Sequence, residues 1–146
     1  MNITTPVSSI MTKTLVVTTP NTTLDKVKEL FDSHAFHHIP VVENQELKGI
    51  ISKLDLYRVS NCVDLFHSKS NTELNNRLFQ SLLAEEVMST NTVVISPDDT
   101  VSRAAALFHH NEFHALPVVK DGKLVGILTT YDLIEYAFDS QSPVVH

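Results

Sequence analysis

The chain has 146 residues, 42% of them hydrophobic, and a mean hydropathy of +0.01, which is the profile of a globular protein with one core or two small halves. Eleven Lys and Arg against 17 Asp and Glu leave a net charge of −6, which argues against a nucleic-acid footprint, since that needs clustered Lys and Arg. No apolar run reaches membrane-spanning length, the N-terminus lacks a signal-peptide pattern, and the single Cys62 excludes an internal disulfide and fits a reducing cytoplasm.

In chain order, Leu15–Thr19 is a β-branched run stopped by Pro20, which predicts a strand. Asn21, Thr22 and Thr23 are helix-capping types, and Leu24, Val27, Leu30 and Phe31 follow at helical spacing. Ile39–Glu43 and Leu47–Ser52 read as two short strands around Asn44-Gln45, a weak turn signal. Residues 61–70 read as a loop. From Ser70 a Ser-x-x-Glu73 capping box leads into a helix that carries Leu74, Leu78, Phe79, Leu82 and Leu83 on one face, against the core or a partner.

The pattern then repeats. Residues 7–56 shifted by 77 positions fall on 84–133 without a gap, and 17 of the 50 pairs are identical, where average composition gives roughly three. Met11 falls on Met88, Pro20 on Pro97, Phe36-His37 on Phe113-His114, Pro40-Val41-Val42 on Pro117-Val118-Val119, and Asp55-Leu56 on Asp132-Leu133. Val93–Ser96, Val101–Phe108, Leu116–Lys120 and Leu124–Thr129 are thus the second strand, helix, strand and strand, and Asp121-Gly122 is a strong hairpin turn. The fold class is α/β (α+β), two copies of one β-α-β-β-α unit. The expected bounds are 1–60 for the first repeat, 61–83 for linker and helix, 84–138 for the second repeat and 139–146 for a tail.

Chemistry concentrates in Gly49-Ile-Ile-Ser52-Lys-Leu-Asp55 and its echo Gly126-Ile-Leu-Thr129-Thr-Tyr-Asp132. Each puts a hydroxyl at a strand end and a carboxylate three residues on, opening a helix. Two readings share that geometry. The hydroxyl and the acid can simply cap the helix. Alternatively, the free N–H groups and the positive helix end favour phosphate, and a carboxylate suits the paired hydroxyls of a ribose.

The doubled pattern of Met, strand-Pro-helix, Pro-Val-Val and Gly-x-x-[Ser/Thr]-x-x-Asp resembles a tandem pair of cystathionine-β-synthase (CBS) domains, the Bateman module, over about residues 5–138. The resemblance implies a pseudo-two-fold axis between the repeats, with clefts between them that hold an adenosyl ligand: AMP, ADP, ATP or S-adenosylmethionine. It implies a regulatory role, a homodimer, and a separate effector protein as partner. By position, Asp55 and Asp132 accept from ribose hydroxyls, and Ser52 and Thr129 contact ribose or phosphate. Backbone at Thr18, Thr19, Ile95 and Ser96 faces adenine, and Ile39, Pro40, Leu116 and Pro117 form apolar walls. His37, His38 and Lys53 near the first site stand where His114, Ala115 and Thr130 stand near the second, so the first is expected to tolerate more phosphate charge.

Among His37-His38, His109-His110 and His114 there is one i, i+4 pair, His110 and His114, but the helix is expected to end near Asn111 and no cysteine pair or His-Glu motif joins them, so no metal and no required cofactor is expected. Cys62 has no basic neighbour to activate it and reads as inert. Two rival readings stay open. One is a ligand-free dimerisation module whose Ser/Thr-x-x-Asp elements only cap helices. The other is an enzyme using a cleft carboxylate or His38 as base, although no paired acid and base accompanies either.

Overall fold

The computed structural model describes residues 1–66 and 72–139, the side chains of 62–66 excepted. Ser70, the side chain of Cys62 and tail residues 140–146 lie outside the described residues. The elements are α1 (Leu24–Ser33), β1 (His38–Glu43), β2 (Glu46–Ser52), α2 (Lys53–Phe66), α3 (Thr72–Ser81), α4 (Ala84–Val87), α5 (Val101–His110), β3 (Ala115–Lys120), β4 (Lys123–Thr129) and α6 (Thr130–Asp139), with a short 3-10 turn at Val7–Ser9. Helix α2 runs through 61–66 of the stretch 61–70 expected to be a loop. No glycine or proline lies between Lys53 and Phe66 to stop it.

The chain forms two compact units. One, the Asp55 unit, is Val16–Asn91; the other, the Asp132 unit, is Met1–Leu15 together with the chain from Thr92 onward. Each unit therefore combines the hairpin of one repeat with the leading segment of the other.

In the Asp55 unit, β1 and β2 pair antiparallel from His38↔Ser52 to Glu43↔Glu46, with a bulge at Val41/Val42. Ile50 stands opposite Pro40 but exchanges both backbone bonds with Ser89, at 3.0 and 2.9 Å. The proline's missing N–H therefore orphans nothing on β2. The strand expected at 15–19 shrinks to one parallel bridge, Thr18↔Val41, in which Thr18 N donates to Pro40 O and Val42 N to Thr18 O. The register explains the correction. The next ladder bonds on either side would need donors at Pro40 and Pro20, and neither has an N–H.

The Asp132 unit repeats this arrangement. Ile95↔Val118 is the single parallel bridge, and Pro117 and Pro97 end it on both sides. Ile127, opposite Pro117, exchanges its bonds with Thr12 of the N-terminal segment. That segment also caps α5, because Thr5 O and Ile3 O accept from the N–H groups of Val101 and Ser102. Both hairpin turns have two left-handed residues, Asn44 and Gln45 (φ 52 and 67) and Asp121 and Gly122 (φ 52 and 76). The weak turn signal thus closes the same type I′ geometry as the strong one.

Leu24, Val27, Phe31, Ile39, Val41, Ile51, Leu56, Phe79 and Ala84 form the core of the Asp55 unit. Phe79 and Leu82 bring the predicted α3 stripe onto that core. Val7, Ile95, Ala104, Leu116, Val118 and Leu128 form the core of the Asp132 unit.

Candidate functional site

Each hairpin delivers its hydroxyl and its carboxylate to one place. Ser52 ends β2 and Asp55 sits in the first turn of α2. Ser52 N and Ser52 Oγ both donate to Asp55 Oδ2 at 2.8 Å, and Asp55 N donates back to Ser52 Oγ at 3.2 Å. Thr129 and Asp132 form the same ring, at 2.7, 2.7 and 3.2 Å. The hydroxyl accepts one helix N–H and spends its own proton on the acid, while the acid also satisfies the N–H of the strand-end residue. The capping expected from the spacing is therefore present twice. It uses one carboxylate oxygen in each copy.

The strand partners bring most of the other candidates alongside. Ser52 pairs with His38, and Lys53 N donates to His37 O at 2.9 Å. Thr18, bonded through Pro40 O, lies on the other side of β1 and is buried, while Thr19 is exposed and bonds Asn21 and Thr22 through its hydroxyl. In the Asp132 unit Ala115 pairs with Thr129, Thr130 N donates to His114 O at 3.1 Å, and Ile95 N donates to Pro117 O. Ser96 N donates to Asp99 Oδ2, and Ser96 Oγ accepts from Asp98 N. Pro40 and Pro117 are buried on their strands. Ile39 and Leu116 are fully buried core residues of their own units.

Two features escaped the sequence reading. One turn beyond Asp55, Arg58 Nη1 lies 3.6 Å from Asp55 Oδ1, and the position 77 residues on is Glu135. An i, i+3 rule applied to the aspartates would have found the pair. Behind each motif, the leading segment of the other repeat presses a methionine onto the motif glycine. A Cβ on Gly49 would lie 2.7 Å from Met88 Sδ, and one on Gly126 would lie 2.5 Å from Met11 Sδ. No local pattern predicts that crossing. Among the described residues no group of three or more His, Cys, Asp or Glu side chains is placed to hold a metal, and no helix is long and apolar enough to cross a membrane.

The CBS-domain model matches residues 7–61 and again 84–139. The chain belongs to the CBS-domain family. A CBS domain-containing protein of Dictyostelium discoideum is 31% identical over 140 residues, covering 94% of both chains. The crystal structure of CBSX2 in complex with AMP superposes with a TM-score of 0.76 at 27% identity, covering 94% of this chain and 98% of that one. An inosine-5'-monophosphate dehydrogenase of Korarchaeum cryptofilum is 22% identical over 126 residues, and there the match spans only 23% of the enzyme's length. A CBS pair thus occurs both across nearly a whole chain and as a part of an enzyme.

Proposed function

We propose that this chain is a regulatory module that binds an adenine nucleotide or another adenosyl compound at its two Ser/Thr-x-x-Asp elements. The observation that carries this reading is the uneven use of the carboxylates. Oδ2 of Asp55 and of Asp132 is committed to the cap, and Oδ1 of each is not. The Asp55 side chain keeps 16% of its surface exposed, so its second oxygen can accept from a ribose hydroxyl while the first holds the helix start. The AMP bound to CBSX2 supports the ligand class. We assign these residues binding and no catalytic step; the signal passes to a separate effector protein or through the oligomer, because a ligand shifts only an equilibrium whose states it binds unequally. The single Cys62 suits a cytoplasmic setting.

A specific observation favours a homodimer as well. Leu54 and Tyr57 on α2 are more than half exposed, as are Tyr131 and Ile134 at the equivalent positions of α6 and Phe138 one turn on. Apolar stripes this open along two helices call for a partner, and a second copy presents the same stripes in self-complementary form. Dimerisation without ligand is the rival that these stripes support.

Calorimetric titration of nucleotide-stripped protein with AMP, ADP, ATP and S-adenosylmethionine separates the two. Saturable binding that an Asp55→Ala/Asp132→Ala protein loses, with its circular dichroism intact, establishes the sensor. A folded dimer that binds none of the four is the scaffold.

A further inference from the structure

The two elements share a hydrogen-bonded ring and differ in charge. At the start of α2, Lys53 and Arg58 flank Asp55, which leaves one net positive charge. At the start of α6 the same positions are Thr130 and Glu135 around Asp132, which leaves two net negative charges. Helix α6 carries Asp132, Glu135 and Asp139 and no basic residue at all. His38 beside Ser52 becomes Ala115 beside Thr129. The contrast extends to the neighbouring turn, where Asn21 and Thr22 are replaced by Asp98 and Asp99. Arg103 and Lys120 partly offset those acids, at 3.4 and 3.9 Å.

Resting on the adenosyl-binding reading above, we propose that the elements are sorted by ligand charge. The Asp55 element takes a nucleotide with a polyanionic phosphate tail, the Asp132 element takes an adenosyl compound whose 5′ substituent is uncharged or cationic, and Arg58 and Glu135 set the difference. Arg58 reaches back to within 3.6 Å of Asp55 Oδ1, yet its side chain is 70% exposed. Its fork therefore keeps donors open to an incoming oxyanion. Lys53 adds a point charge at the helix end that already favours anions. At the other element a phosphate would approach two carboxylates, whereas a sulfonium would be drawn to them. Charges several ångströms apart near a protein surface discriminate by roughly tenfold per unit charge at low salt, and much less once the Debye length falls to about 3 Å at 1 M.

The test is calorimetry on the full chain with ATP, adenosine and S-adenosylmethionine, at low and high salt, with one element silenced by Asp132→Ala or Asp55→Ala. Asp→Asn forms, which keep an oxygen for the cap, replace any alanine form that unfolds. With only the Asp55 element active, ATP should bind at least tenfold more tightly than adenosine. Arg58→Glu should erase that ratio, with ATP losing more affinity than adenosine does. With only the Asp132 element active, S-adenosylmethionine should bind more tightly than ATP, and Glu135→Arg should reverse the order. Both ratios should shrink in high salt. Equal ratios at the two elements, or ratios that ignore the charge swaps, overturn the sorting and leave adenosyl binding intact. Failure of the unmodified protein to bind any of the three overturns the sorting, and failure with AMP and ADP as well removes the adenosyl reading itself.

Discussion

Gly49→Ala and Gly126→Ala put the same methyl group at equivalent points of the two repeats, and they should not cost the same. Neither glycine needs a left-handed backbone, so the effect is one of space. At Gly126 the three nearest atoms all belong to the Met11 side chain, at 2.5 to 3.1 Å. Methionine is unbranched and can swing aside. At Gly49 the new methyl meets Met88 Sδ at 2.7 Å and also the Ser89 carbonyl oxygen at 2.7 Å. That carbonyl accepts from Ile50 N at 3.0 Å, and Ser89 N donates to Ile50 O at 2.9 Å, so it cannot yield without opening the bridge that holds the leading segment. Overpacking costs about 1–3 kcal/mol and glycine-to-alanine entropy returns about 0.4–1. Gly126→Ala should therefore fall near the low end, about 0–1 kcal/mol, and Gly49→Ala near the high end, about 2 kcal/mol or more. Urea unfolding followed by circular dichroism measures both, with Met11→Ala and Met88→Ala completing two double-mutant cycles. In the Met11→Ala background Gly126→Ala should become neutral. In the Met88→Ala background Gly49→Ala should keep most of its cost, because the carbonyl remains. Equal costs at the two glycines, or full rescue at both, would refute the assignment of the Gly49 clash to backbone.

Three further outcomes follow from particular contacts. The Thr23 hydroxyl is the main cause holding the Asp25 carboxyl below its ordinary 3.8, with backbone N–H groups at Asp25 and Lys26 adding to it against the opposing effect of burial. A depressed carboxylate contributes stability that is present above its unfolded value and lost as pH falls through the folded one. Thr23→Val should move the Asp25 titration upward, toward 3.8, in a carbon-detected NMR titration; an unmoved midpoint contradicts this. Tyr136→Phe removes the 2.7 Å bond between Tyr136 Oη and Thr5 Oγ1. It should cost about 0.5–1.5 kcal/mol and speed amide exchange at Val101 and Ser102, which the N-terminal segment caps; unchanged exchange there separates the tyrosine from the cap. Gln45→Gly should raise the denaturation midpoint by the equivalent of about 0.5–1 kcal/mol, since a side chain at φ 67 pays a steric penalty that glycine avoids. A lowered midpoint would mean that the Gln45 side chain supports the hairpin in some other way.

What was legible in the sequence was local or repeated. Asp121-Gly122 announced its hairpin, Pro20 and Pro97 marked the end of the extended segments, and the spacing of Ser52 to Asp55 predicted a cap that the 2.8 Å bonds realise. Each of these depends on residues within a few positions of one another, where side-chain chemistry and backbone sterics act without help from the rest of the chain. The 77-residue offset extended every such reading to the other half, and it carried the family resemblance that the matched model bears out. Other features depended on partners far along the chain. The strand at 15–19 narrowed to one bridge because Pro40, more than 20 residues away, faces it in the ladder. Helix α2 outran its expected end because continuing was cheaper than breaking where nothing breaks it. The need for glycine at 49 and 126 becomes plain only when Met88 and Met11 arrive from the other repeat's leading segment. By itself the sequence determined the two repeats and their capped aspartates, because periodicity and capping are short-range physics. Only the tertiary structure decided which segment completes which unit, since that choice rests on packing between residues that no local pattern connects.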